Sequence, residues 1–144
     1  MAVEIRRLRS GDAAAVLAAA GLFDEPPRPD ATRRFLAEPN HHLLMAYDGR
    51  EPVGFVSGVE TTHPDKGTEM FLYELSVAES ARRRGVGRAL VEALAALARE
   101  RGCYGMWAGT DPGNLPARRT YARAGARETP AHLVMEWCFG GRAG

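Results

Sequence analysis

The strongest rhythm of apolar and polar positions runs from Val86 to Arg101. Val86, Ala89, Leu90, Ala93, Leu94 and Leu97 recur at helical spacing and form one apolar stripe, while Arg88, Glu92, Arg99 and Glu100 take the wet faces. Gly102 stands where a helix stop belongs. After it, "CYGMWAGT" reads as a strand, and Asn114 to Ala124 as a second short helix with Pro116 in its first turn and Gly125 past its end. Upstream, "VEIRRL" alternates as a strand, and Ser10 is placed to cap an alanine-rich helix reaching Ala20. A Pro-rich connector, "GLFDEPPRPD", leads to a further short helix capped by Asp30 and closed before Pro39.

Between these helices, "HLLMAYD" and "EPVGFVSGVET" alternate as strands and meet at Asp48-Gly49, a hairpin signal. "THPDKGTE" reads as a polar loop, and "MFLYELSV" (Met70–Val77) as a mostly apolar strand suited to the middle of a sheet. "HLVMEWCF" reads as a final strand and "GGRAG" as a frayed tail. No internal repeat interrupts this order. It predicts an α/β fold with one domain over residues 1–144, a mixed sheet and helices packed on it.

Composition narrows the function classes. The chain of 144 residues, 45% hydrophobic and 26% charged, is ordinary for a globular domain, and a domain of this size buries about two thirds of its unfolded surface. No apolar run approaches the roughly 20 residues that span a bilayer, and "MAVEIRRL" lacks a signal-peptide core, so a cytoplasmic location is expected. Cys103 and Cys138 make neither metal-ligand spacing nor a disulfide framework, which predicts reduced, structural thiols. A net charge of +1 argues against nucleic acid as the principal partner. The local distribution says more. Arg82, Arg83, Arg84 and Arg88 crowd one place, while Asp24, Glu25, Asp30, Glu60, Glu69, Glu74 and Asp111 lie elsewhere, so one site suits an anion and another a cation.

The stretch "RRRGVGRAL" falls between the strand ending at Val77 and the amphipathic helix. Helix-start N–H groups lack internal partners and carry partial positive charge. Glycines at 85 and 87 let a phosphate approach those groups, and arginines add charge-assisted bonds, so the turn reads as a pyrophosphate cradle. The Gly-Lys-Ser/Thr of a nucleotide-binding P-loop is missing, since Lys66 is the chain's one lysine. A dinucleotide fingerprint would need glycine at Leu90 and an early strand. The bland alternative is an arginine-rich helix start that touches only solvent.

"LSVAESARRRGVGRALVEAL" resembles the acetyl-coenzyme A motif of the GNAT superfamily of N-acetyltransferases, with Arg82, Gly85 and Gly87 at its fixed places. "NLPARRTYARAGARE" resembles the second family signature through Asn114, Ala117, Tyr121 and Gly125. The element order matches from first strand to last. The resemblance implies the single-domain GNAT fold, a mixed and mostly antiparallel sheet splayed between two central strands, with helices on both faces. It implies acetyl-coenzyme A as cosubstrate and no metal. The diphosphate would lie on the backbone of Arg83, Arg84, Gly85, Val86, Gly87 and Arg88, with Arg82 beside it. The pantetheine arm would run along Leu75, Ser76 and Val77, with Asn114, Ala117 and Tyr121 on its other side. The family often pairs through its late strands, so a homodimer is a possible partner state.

Acyl transfer to an amine needs a base for the ammonium proton and a donor for the departing thiolate. Glu74, a carboxylate inside a strand, is the candidate base, because such a charge is costly unless it faces a polar cleft. The resemblance makes Tyr121 the candidate acid. Cys103 has no convincing His/Asp set, which points to direct attack, and His41, His42, His63 and His132 make no metal set. Asp24, Glu25, Glu60, Glu74 and Asp111 are the candidate acceptor residues, a negative basin suited to a small polycationic amine. Tyr73-Glu74-Leu75 and the turn before Asn114 are most similar to the aminoglycoside 3-N-acetyltransferase (gentamicin) type, with glutamate in place of aspartate. A protein or peptide amine is the alternative acceptor. A non-catalytic coenzyme A-binding regulator is the alternative of another class.

Overall fold

The structure, a computed structural model, describes residues 2–140. β2 (His41–Asp48) and β3 (Glu51–His63) form the expected antiparallel hairpin, turning through Gly49 at φ 61° and Arg50. β1 (Val3–Leu8) pairs antiparallel with β2, and β4 (Gly67–Val77) antiparallel with β3. β5 (Met106–Ala108) joins β4 in parallel and forms the edge of a five-stranded sheet ordered β1-β2-β3-β4-β5. The sheet is therefore mixed and mostly antiparallel. "THPDKGTE" is largely strand instead of loop. The Thr62 and Thr68 hydroxyls bond at 2.8 Å, and His63 and Glu69 pair at 3.2 Å, so polar cross-strand pairs extend the hairpin where apolar alternation stops.

α3 (Val86–Glu100) covers one face, with Leu90 and Leu94 wholly buried against Val56, Met70 and Leu72. Each such leucine contributes about 1.5–3 kcal/mol by leaving water. A Cβ on Gly58 would meet Leu94 Cδ1 and Met70 Sδ at 2.9 Å, so glycine is what lets α3 sit this close to β3. The stop at Gly102 is as expected: its φ is 79°, and the Cys103 N–H donates to the Ala98 carbonyl at 2.9 Å. α4 (Leu115–Arg123) packs against α3 on the same face. α1 (Ala13–Ala18) and α2 (Pro29–Ala37) cover the other face over Leu43, Met45 and Phe55.

Three local expectations are corrected. Asp12 precedes α1 in place of Ser10, since its carboxylate accepts the Arg9 N–H at 2.7 Å and Gly11 turns the chain with φ 100°. Past Ala18 the helix gives way to a 3-10 turn over Ala20–Leu22. Asp30 lies inside the first turn of α2, which Pro29 opens after Arg28. "HLVMEWCF" forms no strand. Its alternation is real, but a strand exists only by pairing, and this segment lies apart from the sheet with Leu133 86% and Phe139 91% exposed. Of "GGRAG", all but Gly140 falls outside the described residues. Among the described residues no helix is long and apolar enough to cross a membrane.

Candidate active site

Gly85 precedes α3 with φ 77° and Arg83 is left-handed too, with φ 64°. A non-glycine residue held that way costs about 1–2 kcal/mol, and such strain persists where a site imposes it. The turn it shapes leaves the N–H groups of residues 83 to 88 donating to no acceptor among the described residues. Arg83, Arg84 and Arg88 are exposed around them. A row of outward N–H groups at a helix start, ringed by guanidinium groups, fits a diphosphate. The two glycines divide the work differently from the sequence reading. A Cβ at Gly85 meets nothing, so its backbone angle is the requirement, whereas a Cβ at Gly87 would meet Thr120 Cγ2 at 3.2 Å, so Gly87 admits α4.

β5 pairs with β4 only from Met70 to Leu72, so the sheet opens between them from Tyr73 onward. This is the expected splay. Leu75 and Val77 line its α3 side, and the Arg82 Nε donates to the Val77 carbonyl at 3.3 Å. The Ser76 hydroxyl donates to the Leu22 carbonyl at 2.7 Å and ties the connector to β4. Ser57 pairs with Glu74 and Gly58 with Leu72, so Tyr73 is an extra residue in β4. The bulge carries Tyr73 and Glu74 together into the cavity on the α1–α2 face. Regular alternation from Leu72 would have turned Glu74 toward α3.

Burial pushes the Glu74 carboxyl above its ordinary value, and the charge of Asp24 pushes it the same way. Its backbone N–H donates to Ser57 Oγ at 3.2 Å. Asp24 is thus brought to the base, with Glu25 next to it on the exposed connector. Glu60 is not. It accepts from His42 Nε2 at 2.6 Å and from Arg101 Nε, beneath the end of α3 and only 10% exposed. Arg7 donates to His42 Nδ1 at 2.8 Å, and a guanidinium can only donate, so His42 is neutral with its proton on Nε2. Burial lowers the His42 pKa in agreement. This network binds Glu60 structurally and removes it from the acceptor set. Asp111 serves the turn before α4, its carbonyl accepting the Asn114 N–H at 3.0 Å.

Tyr121 lies half-buried on α4 against the α3-side core, and burial raises its phenol pKa, which keeps the proton available at neutral pH. Asn114 caps α4, with Oδ1 accepting the Ala117 N–H at 3.2 Å. Its Nδ2 donates to nothing among the described residues. Glu74 and Tyr121 belong to opposite faces of the sheet and flank its opening. Sequence reading missed Ser57, Tyr73 and the cavity walls Phe23, Phe35 and Phe55. The signal for Phe23 was an aromatic residue amid the polar connector; for Phe35 and Leu36, their helical spacing from Thr32.

A helix start with unbonded N–H groups, an opened sheet and a half-buried carboxylate fit a group-transfer site for a phosphate-bearing donor. Residues 11–126 match the acetyltransferase (GNAT) family, and the chain belongs to that family. It is an N-acetyltransferase. No curated protein matches it. Among solved structures it is similar to an aminoglycoside acetyltransferase, HMB0005, from an uncultured soil metagenomic sample, at 28% identity over 96% of this chain and 100% of that one, TM-score 0.81. The aminoglycoside N-acetyltransferase AAC(6')-Iy in complex with CoA shares the fold at 21% identity, 94% and 95% coverage and TM-score 0.79. A ribosomal-protein-alanine N-acetyltransferase from Brucella melitensis biovar Abortus 2308 does so at 24% identity, 94% and 100% coverage and TM-score 0.72.

Proposed function

We propose that this chain transfers an acetyl group by direct attack to a primary amine of a small cationic acceptor, with Glu74 as base and Tyr121 as acid. The observation that carries the reading is the Glu74 carboxyl, raised by burial and facing a cavity beside the opened strand. Acetyl-coenzyme A supplies the acetyl thioester. The N–H row of residues 83 to 88 and the arginines at 82, 83, 84 and 88 hold its diphosphate, while Leu75, Val77, Asn114 and Ala117 border its arm. Glu74 takes the ammonium proton. The neutral amine then forms the C–N bond as the C–S bond breaks; Tyr121 gives its proton to the leaving sulfur, the acylated nitrogen sheds its second proton to solvent, and Tyr121 and Glu74 regain their starting protonation by exchange with solvent. An aminoglycoside is one such acceptor, supported by the neighbour at 28% identity; acetylation at its 3-N amine rests on the Tyr73-Glu74-Leu75 triplet alone. Asp24, Glu25 and Asp111 supply the negative charge of this reading.

The test is release of thiol from acetyl-coenzyme A with a panel of small amines and of peptides with amino termini. Saturable release with small amines is the expected result. Release with peptides alone would replace the small acceptor by a protein amine, and none at all would contradict transfer.

Pairing of two copies belongs to the same proposal. Leu133, Val134, Met135, Trp137 and Phe139 are exposed on an alternating segment, and β5 presents an open edge. Exposed apolar strands and bare edges satisfy each other, and a second copy supplies both. A cytoplasmic setting accords with the free thiols of Cys103 and Cys138.

A further inference from the structure

The cavity that receives Glu74 is small and mostly apolar. It encloses about 250 Å³ between α1, α2 and the sheet. Its walls are Phe23, Phe35, Leu36, Leu43, Phe55 and Val59. Phe23 and Phe55 stack with centroids 4.2 Å apart and planes at 21°, which makes a flat apolar wall. Polar groups are few. Glu74 stands at one end with Ser57, whose hydroxyl accepts the Glu74 N–H, and Thr32 of α2 is mostly buried. At the rim Tyr73, 64% exposed, meets Phe71 edge-on at 5.7 Å, and Phe71 stacks on Trp107 at 4.3 Å. An aromatic shelf therefore continues the apolar wall outward. Arg28 also lines the mouth and adds a positive charge there.

An aminoglycoside placed in this cavity would set its many hydroxyl groups against apolar side chains that offer them no partner, and each such group loses its hydration. The volume also falls below the roughly 300–1,000 Å³ of pockets for drug-sized ligands, so what enters is about one ring in size. A single amine suffices for Glu74 and Asp24, and Glu60 is spent elsewhere.

Resting on the acetyl-transfer reading above, we propose that the acceptor is a primary amine carried by a short chain on an aromatic body, which lies between Phe35 and the stacked Phe23–Phe55 pair while its nitrogen reaches Glu74. Aromatic walls take an aryl group in offset or edge-on contact and exclude water from the nitrogen once it is deprotonated. The aliphatic side chains Leu36, Leu43 and Val59 close the volume behind the ring.

The test compares kcat/KM for 2-phenylethylamine, ethanolamine and kanamycin on the wild-type chain, read by thiol release from acetyl-coenzyme A. The expected result favours 2-phenylethylamine over ethanolamine by about 10- to 100-fold, the factor that burial of one phenyl group supplies. Phe35→Ala is expected to narrow that ratio by raising KM for 2-phenylethylamine more than it lowers kcat. Equal rates for the two simple amines, or preference for kanamycin over 2-phenylethylamine, overturn the aromatic acceptor and leave acetyl transfer standing. No release with any of the three, at millimolar amine, overturns the transfer reading and this inference with it.

Discussion

At Glu74 two influences act in one direction, burial and the neighbouring charge of Asp24, and both favour the protonated carboxyl. A base works only when ionised, so activity is lost as pH falls through a pKa lying above the ordinary 4.5. Asp24→Asn removes one cause of the rise, and the acid limb of the pH–kcat/KM profile is expected to move to lower pH; an unmoved limb would separate Asp24 from the base. Glu74→Gln is expected to lower kcat about 10²- to 10⁴-fold and to erase that limb. At Tyr121, Phe removes the proton donor and leaves the ring packed on the α3-side core. Turnover is expected to fall while the acceptor KM holds, and steady-state kinetics at saturating cosubstrate separate the two. That Glu74 is chemically unusual was legible in the sequence, because a lone carboxylate interrupts an apolar strand. Its facing was not: one extra residue at Tyr73 decides it, and because Phe71 and Tyr73 are apolar as well, the change of phase from Met70 and Leu72 to Leu75 and Val77 is hidden in the strand. Glu60 looked equivalent in sequence, yet Arg7, His42 and Arg101, from β1, β2 and the end of α3, converge on it only once folded.

Among the elements, α3 was legible to its first residue because its apolar stripe, its arginine-rich lead and its glycine stop agree. The two glycines of its approach predict different failures. Gly85→Val forces a branched side chain into a left-handed backbone with open space around it, so coenzyme A affinity is expected to drop with a stability cost of about 1–2 kcal/mol. Gly87→Ala presses on Thr120 of α4 instead, and is expected to slow turnover through Tyr121 more than it weakens coenzyme A binding. Calorimetric titration alongside kcat distinguishes the two variants, and the reverse pattern would contradict the division drawn here. Strand ends were less legible. β4 begins at Gly67 through polar pairs that apolar alternation does not register, and β5 is only Met106–Ala108 because the sheet opens beyond it.

In the proposed reaction, donor and acceptor lie on the two faces of the sheet and meet where β4 and β5 part. The order of elements and both helix layers were legible from sequence. The fate of residues 132–139 was not, because alternation marks a strand without naming its partner. If that partner is a second copy, the full chain is expected to run as a dimer in light scattering and a chain ended after Pro130 as a monomer. A monomeric full chain at tens of micromolar would refute the pairing. Calorimetric titration of the wild-type chain with coenzyme A and with pantetheine, which lacks the diphosphate and the adenosine beyond it, measures whether the N–H row at the start of α3 grips the acetyl carrier there. Losing two or more charge-assisted bonds predicts affinity for pantetheine weaker by at least about 100-fold; equal affinities for the two would contradict the account.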